Sequence, residues 1–358
     1  MFNIEIVPVW RFTQERDSRS MLVMLDFLYE IHATGKITRA AERAQVSYRH
    51  AWNLIEKWSE FFATPLVERR QGRGTTLTTF GEKLVWAGQR LQARLGPQLQ
   101  NLAQELQSEI NALLPQERSI VRIHASHGFA VSALRELLSR EPNLTVDFRF
   151  VGNPNSLASL AHNGCDLAGM HLPKGTLRAR SIAAWRAALS AEAHCAIEFV
   201  TREMGLIVRR GNPLGITSLA GLFAHGVRFV NRDPDSGTRM LLDDLLAEER
   251  LDGSLIEGYD NVEFTHAAVA AYVASGMADV SFGVEAAARQ FDLDFVRLVT
   301  EDYTFVCRRQ SLENESVQRI LQVMRGDEFR AAIARLPGYL ATDPGVVRTV
   351  DEAFGADS

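Results

Sequence analysis

The chain has 358 residues, 46% hydrophobic and 23% charged, with a formal net charge of −5 at pH 7. Such a length and apolar content suit a globular protein of two or three domains with a sizeable core. No apolar run approaches the ~20 residues of a bilayer-spanning helix. Met1 to Trp10 carries Glu5 and Pro8 with no basic stretch ahead of it, and Cys165, Cys195 and Cys307 lie too far apart for a disulfide framework. A cytoplasmic protein with no membrane partner is therefore expected. Residues 1–110 hold 14 Lys and Arg against 12 Asp and Glu, whereas 36–73 hold 8 against 4, so basic charge gathers in one short stretch.

In chain order, residues 1–18 form an N-terminal extension in which Ile4, Ile6, Val7 and Val9 suggest an edge strand. From Ser20, the spacing of Leu22, Leu25, Leu28, Tyr29 and Ile31 predicts a helix that stops at Thr34-Gly35. Thr38 is placed to cap a short helix through Ala40, Ala41 and Ala44. Gln45-Val46 makes a turn, and Ser47 caps a longer helix to Phe62 with Ala51, Leu54, Ile55, Trp58 and Phe62 inside. Pro65 to Arg70 reads as a strand, 71–74 as a hairpin tip and Thr75-Thr76-Leu77 as the return. Thr78 or Thr79 then caps a long helix with Leu84, Leu91, Leu95, Leu99, Leu102 and Leu106 recurring toward Leu113, kinked at Gly96-Pro97. This order predicts an all-α winged helix-turn-helix over 19–78 with a dimerisation or linker helix over 79–115.

After Pro115, strands and helices alternate. Strands are expected at Ser119–Ala125, 144–151, 166–170, 204–209, 227–230, 280–283, 294–298 and 304–308. Helices are expected at 129–138, 156–162, 239–249, 265–275 and 313–326, with a local helical excursion in 174–198. The alternation predicts an α/β domain with mostly parallel sheet over 116–345, followed by a C-terminal tail, 346–358.

A second helix of a helix-turn-helix docks in the major groove. Ser47, Tyr48, Arg49, His50 and Asn53 sit at its outward N-terminal side, where Arg suits guanine and Asn suits adenine. Thr38, Arg39, Lys57 and Thr78 are placed to hold phosphates, and Arg70 and Arg73 on the wing to reach the backbone or minor groove. Double-stranded DNA is the expected partner.

In the second domain, three turns open helices. They are Ser126-His127-Gly128, Asn153-Pro154-Asn155-Ser156, and Ser236-Gly237-Thr238 after the strand Val227 to Val230. Backbone N–H groups, hydroxyls and helix dipoles at such turns can hold a small oxyanion without a metal. Arg239, Thr265 and His266 complete the candidate set, Arg239 being equally suited to pair with Asp243 at i+4. Pro154 removes a donor, and Asp233 and Asp235 oppose a dianion, leaving room for another small anion or a neutral polar metabolite. Ser126 next to His127 is a poor nucleophile–base geometry, no Gly-x-Ser-x-Gly elbow occurs, and His194-Cys195 lacks zinc spacing. Neither an enzyme nor a metal site nor a resident cofactor is expected; the alternative is an anion- or metabolite-binding protein with residual enzymatic activity.

Two resemblances sharpen this reading. Ser47-Tyr48-Arg49-His50-Ala51-Trp52, Leu66-Val67-Glu68-Arg69 and Leu77-Thr78-Thr79-Phe80-Gly81 resemble the DNA-binding domain of molybdate-responsive repressors, related to the winged helix of LysR-type regulators, over roughly residues 20–110. Residues from about 119 to 310 resemble a two-lobed periplasmic-binding-protein-like (type II) domain of molybdate-binding type. Here the motifs are Ala125-Ser126-His127, Asp166-Leu167-Ala168-Gly169-Met170-His171-Leu172, Gly211-Asn212-Pro213, Asn231-Arg232, Ser236-Gly237-Thr238-Arg239 and Thr265-His266-Ala267-Ala268. The resemblance implies a homodimer or homotetramer on a palindromic operator, responding to an oxyanion such as molybdate or tungstate, or to another small anion, bound between the lobes.

Overall fold

The computed structural model describes residues 4–14, 17–70, 74–112, 120–186 and 188–355. The chain divides into two compact units, Val7–Gly96 and a second made of Met1–Ile6 with Pro97–Ser358.

In the smaller unit, β1 (Arg11–Gln14) pairs antiparallel with β2 (Asp17–Ser20). The expected strand at Ile4 to Val9 is therefore displaced: the pairing partner lies at 17–20, and a hairpin places the first strand just ahead of its own turn. Phe12 packs edge-on against Phe62 at 5.0 Å and meets Trp58 at 6.1 Å. Next come α1 (Leu22–Thr34), closed by Gly35 at φ 67°, and α2 (Ile37–Arg43). Lys36, not Thr38, precedes α2, because Ile37 is buried in the core and must already lie on the helix. Gln45 turns the chain at φ 54°. In α3 (Tyr48–Phe61), Ser47 Oγ accepts from the His50 N–H at 3.2 Å. The wing pairs β3 (Val67–Arg70) with β4 (Gly74–Leu77). Thr78 caps α4 (Thr79–Ala112), its Oγ1 accepting from Gly81 N at 3.1 Å and donating to Pro65 O at 2.7 Å. The core joins Met24, Phe27 and Leu28 of α1, Ile37 of α2, Ile55 and Trp58 of α3 and Val85 of α4.

The larger unit contains β5 (Ile120–Ala125), α5 (Phe129–Leu138), β6 (Thr145–Phe150), α6 (Asn153–Ala161), β7 (Leu167–Pro173), α7 (Leu177–Arg186) and β8 (His194–Val208). Then come β9 (Phe229–Arg232), α8 (Gly237–Glu248), β10 (Val262–Glu263), α9 (His266–Ala274), β11 (Val280–Val284), α10 (Glu285–Gln290) and β12 (Asp294–Arg308). The chain ends with α11 (Glu315–Arg325), α12 (Asp327–Ala334), β13 (Tyr339–Leu340), β14 (Val347–Thr349) and α13 (Val350–Phe354). The expected strand start at Ser119 and the linker end at 113–115 lie outside the described residues.

The strand order is β10-β9-β11-β8-β12-β7-β5-β6, with β13 and β14 on β8. Two parallel trios flank two long strands that run antiparallel to their neighbours. The sheet is mixed, correcting the expectation of a mostly parallel one. The cause is the 15-residue length of β8 and of β12, which were expected as shorter pieces. Glu301–Cys307 of β12 pairs with β7 in one lobe, and Met204–Val208 of β8 pairs with β11 in the other. These strands thus carry the chain between two lobes. Glu198, Arg202 and Glu203 interrupt the apolar pattern of β8, so only its last third looks like a strand in sequence. The segment after 345, expected as a tail, instead pairs with β8 and buries Val350 and Phe354 against Leu172 and Ala196.

Candidate functional site

On α3 the inner face, Ala51, Ile55 and Trp58, is buried. Their i, i+4, i+7 spacing turns the rest of the helix outward. Arg49, His50, Asn53 and Lys57 are exposed, and Tyr48 remains 47% accessible although aromatic. Thr38 and Arg39 are exposed on α2, Arg39 with Glu42 at 3.0 Å. Ser47 and Thr78 serve as helix caps, so each has one oxygen lone pair committed. Arg70 contributes backbone pairing to Gly74; its side chain, and Arg73 altogether, lie outside the described residues.

Between the two lobes of the larger unit lies a cavity of about 180 Å³. Pockets for drug-sized ligands start near ~300 Å³, so this one suits a small ligand. Four helix N-termini open on it: Ser126 and His127 ahead of α5, Gly152 at α6, Ser236 to Thr238 at α8 and His266 at α9. Each presents the positive end of a helix dipole. Gly152 is there for want of space: a Cβ on it would stand 2.4 Å from the carbonyl oxygen of Asp235 on the opposite lobe.

Two arginines are buried in the wall. Arg202 is 2% exposed and sits opposite Glu301 on the neighbouring strand, its Nε donating to Oε2 at 2.7 Å. Burial works against its charge, but the Glu301 carboxylate together with Tyr339 more than offsets this and raises its pKa. Arg232 is 6% exposed; one Nη donates to Phe264 O at 3.0 Å and lies 3.6 Å from Asp233. Its Nε and other Nη have no protein partner among the described residues. Burial draws its pKa down to about 10, with Asp233 opposing, so at neutral pH it is a cation with two donor nitrogens to spare.

The histidines respond to both burial and these cations. Burial, then Arg232 and Arg135, pushes His127 down to about 4. Burial, then the two arginines, holds His171 and His266 well below the ordinary imidazole value. All three are neutral at pH 7. His266 Nε2 faces Arg202 at 3.5 Å and Thr238 Oγ1 at 3.4 Å. His171 stacks on Tyr303 at 3.9 Å, and Tyr303 Oη accepts from Ser126 N at 3.0 Å, tying β12 to the first turn. Asn101 of α4 holds the cavity rim, bonding Phe150 O at 3.1 Å and Phe150 N at 3.0 Å.

Of the expected effector residues, Ser126, His127, Ser236, Gly237, Thr238 and His266 line this cavity, and Gly128 caps α5 beside it. Four others do not. Arg239 turns away to Asp243 at 3.0 Å and lies 4.1 Å over Tyr259. Thr265 is a buried cap that accepts from Ala268 N at 2.9 Å. Ser156 bonds back to Gly152 O at 3.2 Å inside its own helix, and Asn155 is exposed off the cavity. For Asn153 only the backbone, the first residue of α6, is described. Sequence reasoning missed Arg202, Asn101 and Phe150, and carried Arg232 and His171 only as parts of motifs. The one available signal for Arg202 was a charge inside a strand-like run. Among the described residues no cluster of three or more His, Cys, Asp or Glu is arranged for a metal ion, and no helix is long and apolar enough to cross a membrane.

The family models agree with this architecture. The bacterial regulatory helix-turn-helix family of lysR type matches residues 22–82, and the PBP superfamily domain matches 134–325, more than half of the chain. Protein YvgK of Bacillus subtilis is 27% identical over 237 residues, covering 66% of this chain and 76% of that protein. Transcriptional regulator ModE of Haemophilus influenzae is 42% identical over 62 residues, 16% of this chain and 24% of its own length. Among solved structures, a mutant OxyR of Corynebacterium glutamicum bound to hydrogen peroxide aligns with TM-score 0.45 at 14% identity, covering 87% of this chain and 94% of that one. The chain belongs to the PBP superfamily and, with a lysR-family helix-turn-helix ahead of that domain, is a LysR-type DNA-binding regulator with a PBP-like effector domain.

Proposed function

We propose that a small anion, in the range from molybdate and tungstate to other small oxyanions and polar metabolites, binds between the two lobes and alters how the protein holds a palindromic operator in the cytoplasm. The chain acts by binding rather than by catalysis. The observation that carries the reading is Arg232: a buried guanidinium with two unpartnered donor nitrogens, facing a small cavity on which four helix N-termini open. The sites proposed are Ser126, His127, Gly128, Arg202, Arg232, Ser236, Gly237, Thr238 and His266 for the effector. For DNA they are Tyr48, Arg49, His50 and Asn53 on base edges, with Thr38, Arg39, Ser47, Lys57, Arg70, Arg73 and Thr78 on the backbone. A homodimer or tetramer formed through α4 is supported by Leu102, Leu106 and Ile110, apolar, exposed and four residues apart.

The coupling between the sites equals the ligand's differential affinity for the two DNA-binding states. Two measurements test the assignment. Arg49→Ala should abolish specific footprints while leaving anion binding intact; an unchanged footprint counts against α3 as the reader. Thr238→Ala should weaken the thermal shift given by oxyanions while leaving basal DNA binding intact; an unaltered shift removes α8 from the site.

A further inference from the structure

The donors in the cleft explain why an anion binds; the acceptors among them restrict which anion. Asp233 lines the same cavity, half-buried, its carboxylate 3.6 Å from Arg232 and therefore only partly engaged by it. His171 lines it as well. Its ring is neutral, and neither nitrogen has a hydrogen-bond partner in the protein among the described residues, Nδ1 standing 3.5 Å from Glu301 Oε2. One of the two nitrogens of the neutral ring is therefore a buried lone-pair acceptor without a protein partner among the described residues. His127, at the first turn, offers one more acceptor nitrogen as a neutral imidazole. A lone pair aimed at a ligand that has only lone pairs is repulsive, and buried it is left unsatisfied.

On the reading of the cleft as an anion site, we infer that it selects a small oxyanion carrying at least one O–H of its own, such as hydrogen phosphate or a hydroxycarboxylate, and excludes fully deprotonated ions of the sulfate and molybdate kind. The anionic end meets Arg232 and the starts of α8 and α9; the O–H donates to Asp233 or to the acceptor nitrogen of His171. Sites built to receive a ligand hydroxyl reject the analogue lacking it because their own polar groups are then stranded.

The test is calorimetric titration of the full chain at pH 7.5 with matched pairs. Inorganic phosphate against sulfate differs by a proton at like size and charge, and glycolate against acetate differs by one hydroxyl. Molybdate is titrated alone. The expected result is that the O–H-bearing member of at least one pair binds at least about ten-fold tighter than its partner, with molybdate weaker than that member. The phosphate and glycolate arms separate an inorganic from an organic ligand. Asp233→Asn should narrow the preferred pair's ratio several-fold by replacing the carboxylate with a neutral amide. Sulfate, acetate or molybdate binding as tightly as the protonated ligands, and losing affinity in Arg232→Gln, would overturn this inference and leave the anion site standing. Absence of binding by all five would overturn both. The wild-type pairs decide the matter even if Asp233→Asn fails to fold.

Discussion

Gly152→Ala perturbs the cleft without perturbing the local backbone. Gly152 has φ −68° and ψ 162°, a conformation any L-residue adopts. The nearest obstacle is across the cleft, where the new methyl would stand 2.4 Å from Asp235 O and 3.4 Å from its carbonyl carbon. Even attractive C···O contacts stop near ~3.3 Å, so the lobes must separate by roughly 1 Å at this point. The obstructing atom is backbone at the entrance of α8 and cannot swing aside as a side chain would. Overpacking of this size costs ~1–3 kcal/mol. Charged against the closed form alone, that is roughly a 5- to 150-fold loss of ligand affinity. The assay is calorimetric titration of both proteins with inorganic phosphate, or with the tightest binder among sulfate, molybdate, glycolate and acetate. Thermal unfolding of the ligand-free proteins runs in parallel and should change less than the affinity does, because opening relieves the clash. An affinity for Gly152→Ala within two-fold of wild type would refute the argument that ligand binds the form in which Gly152 touches Asp235.

Three further outcomes follow, two from the cleft walls and one from the smaller unit. Arg202→Met leaves Glu301 buried without its cation and should cost about 3–5 kcal/mol in chemical denaturation; the double variant with Glu301→Leu should recover most of it, and equal losses in both would show that the pair is not the cause. His127 has its pKa lowered from 6.5 to about 4, so its neutral form is the one the fold favours. Its contribution is full above pH 6.5 and is lost as pH falls toward 4, about 3 kcal/mol in all. Buried Glu301, its pKa raised chiefly by burial, works in the opposite sense as pH falls, so the comparison is made against His127→Gln: stability curves that stay parallel between pH 7 and 4 would contradict the assignment. In the smaller unit, Phe12→Ala removes the ring that bridges the N-terminal hairpin to Trp58 and Phe62. It should lower stability by ~3 kcal/mol, read as the midpoint of urea unfolding, and a loss under ~1 kcal/mol would show that the hairpin does not brace α3.

The helix-turn-helix was legible because its information is local. Ser47 caps α3 through His50 N–H only three residues on, Gly35 ends α1 in the left-handed region, and the outward set on α3 follows from a period of 3.6. The helix starts at Ser126, Ser236 and Thr265 were readable for the same reason. Where a polar residue at such a start would point was legible only for Arg239, whose i+4 pairing with Asp243 the sequence offered; Thr265 was expected as a ligand donor and instead accepts from the Ala268 N–H.

What the chain order alone determined is thus the identity of the elements and the faces of the helices, since capping, periodicity and turn chemistry act over a few residues. What tertiary structure decided is the wall of the cleft. Arg202 meets Glu301 through a strand register spanning 99 positions, Arg232 is left with two spare donor nitrogens because its surroundings among the described residues supply only Phe264 O and Asp233, and Gly152 is required by a carbonyl on the other lobe. Burial and pairing at such separations depend on which strands lie side by side, and no pattern within one segment encodes that.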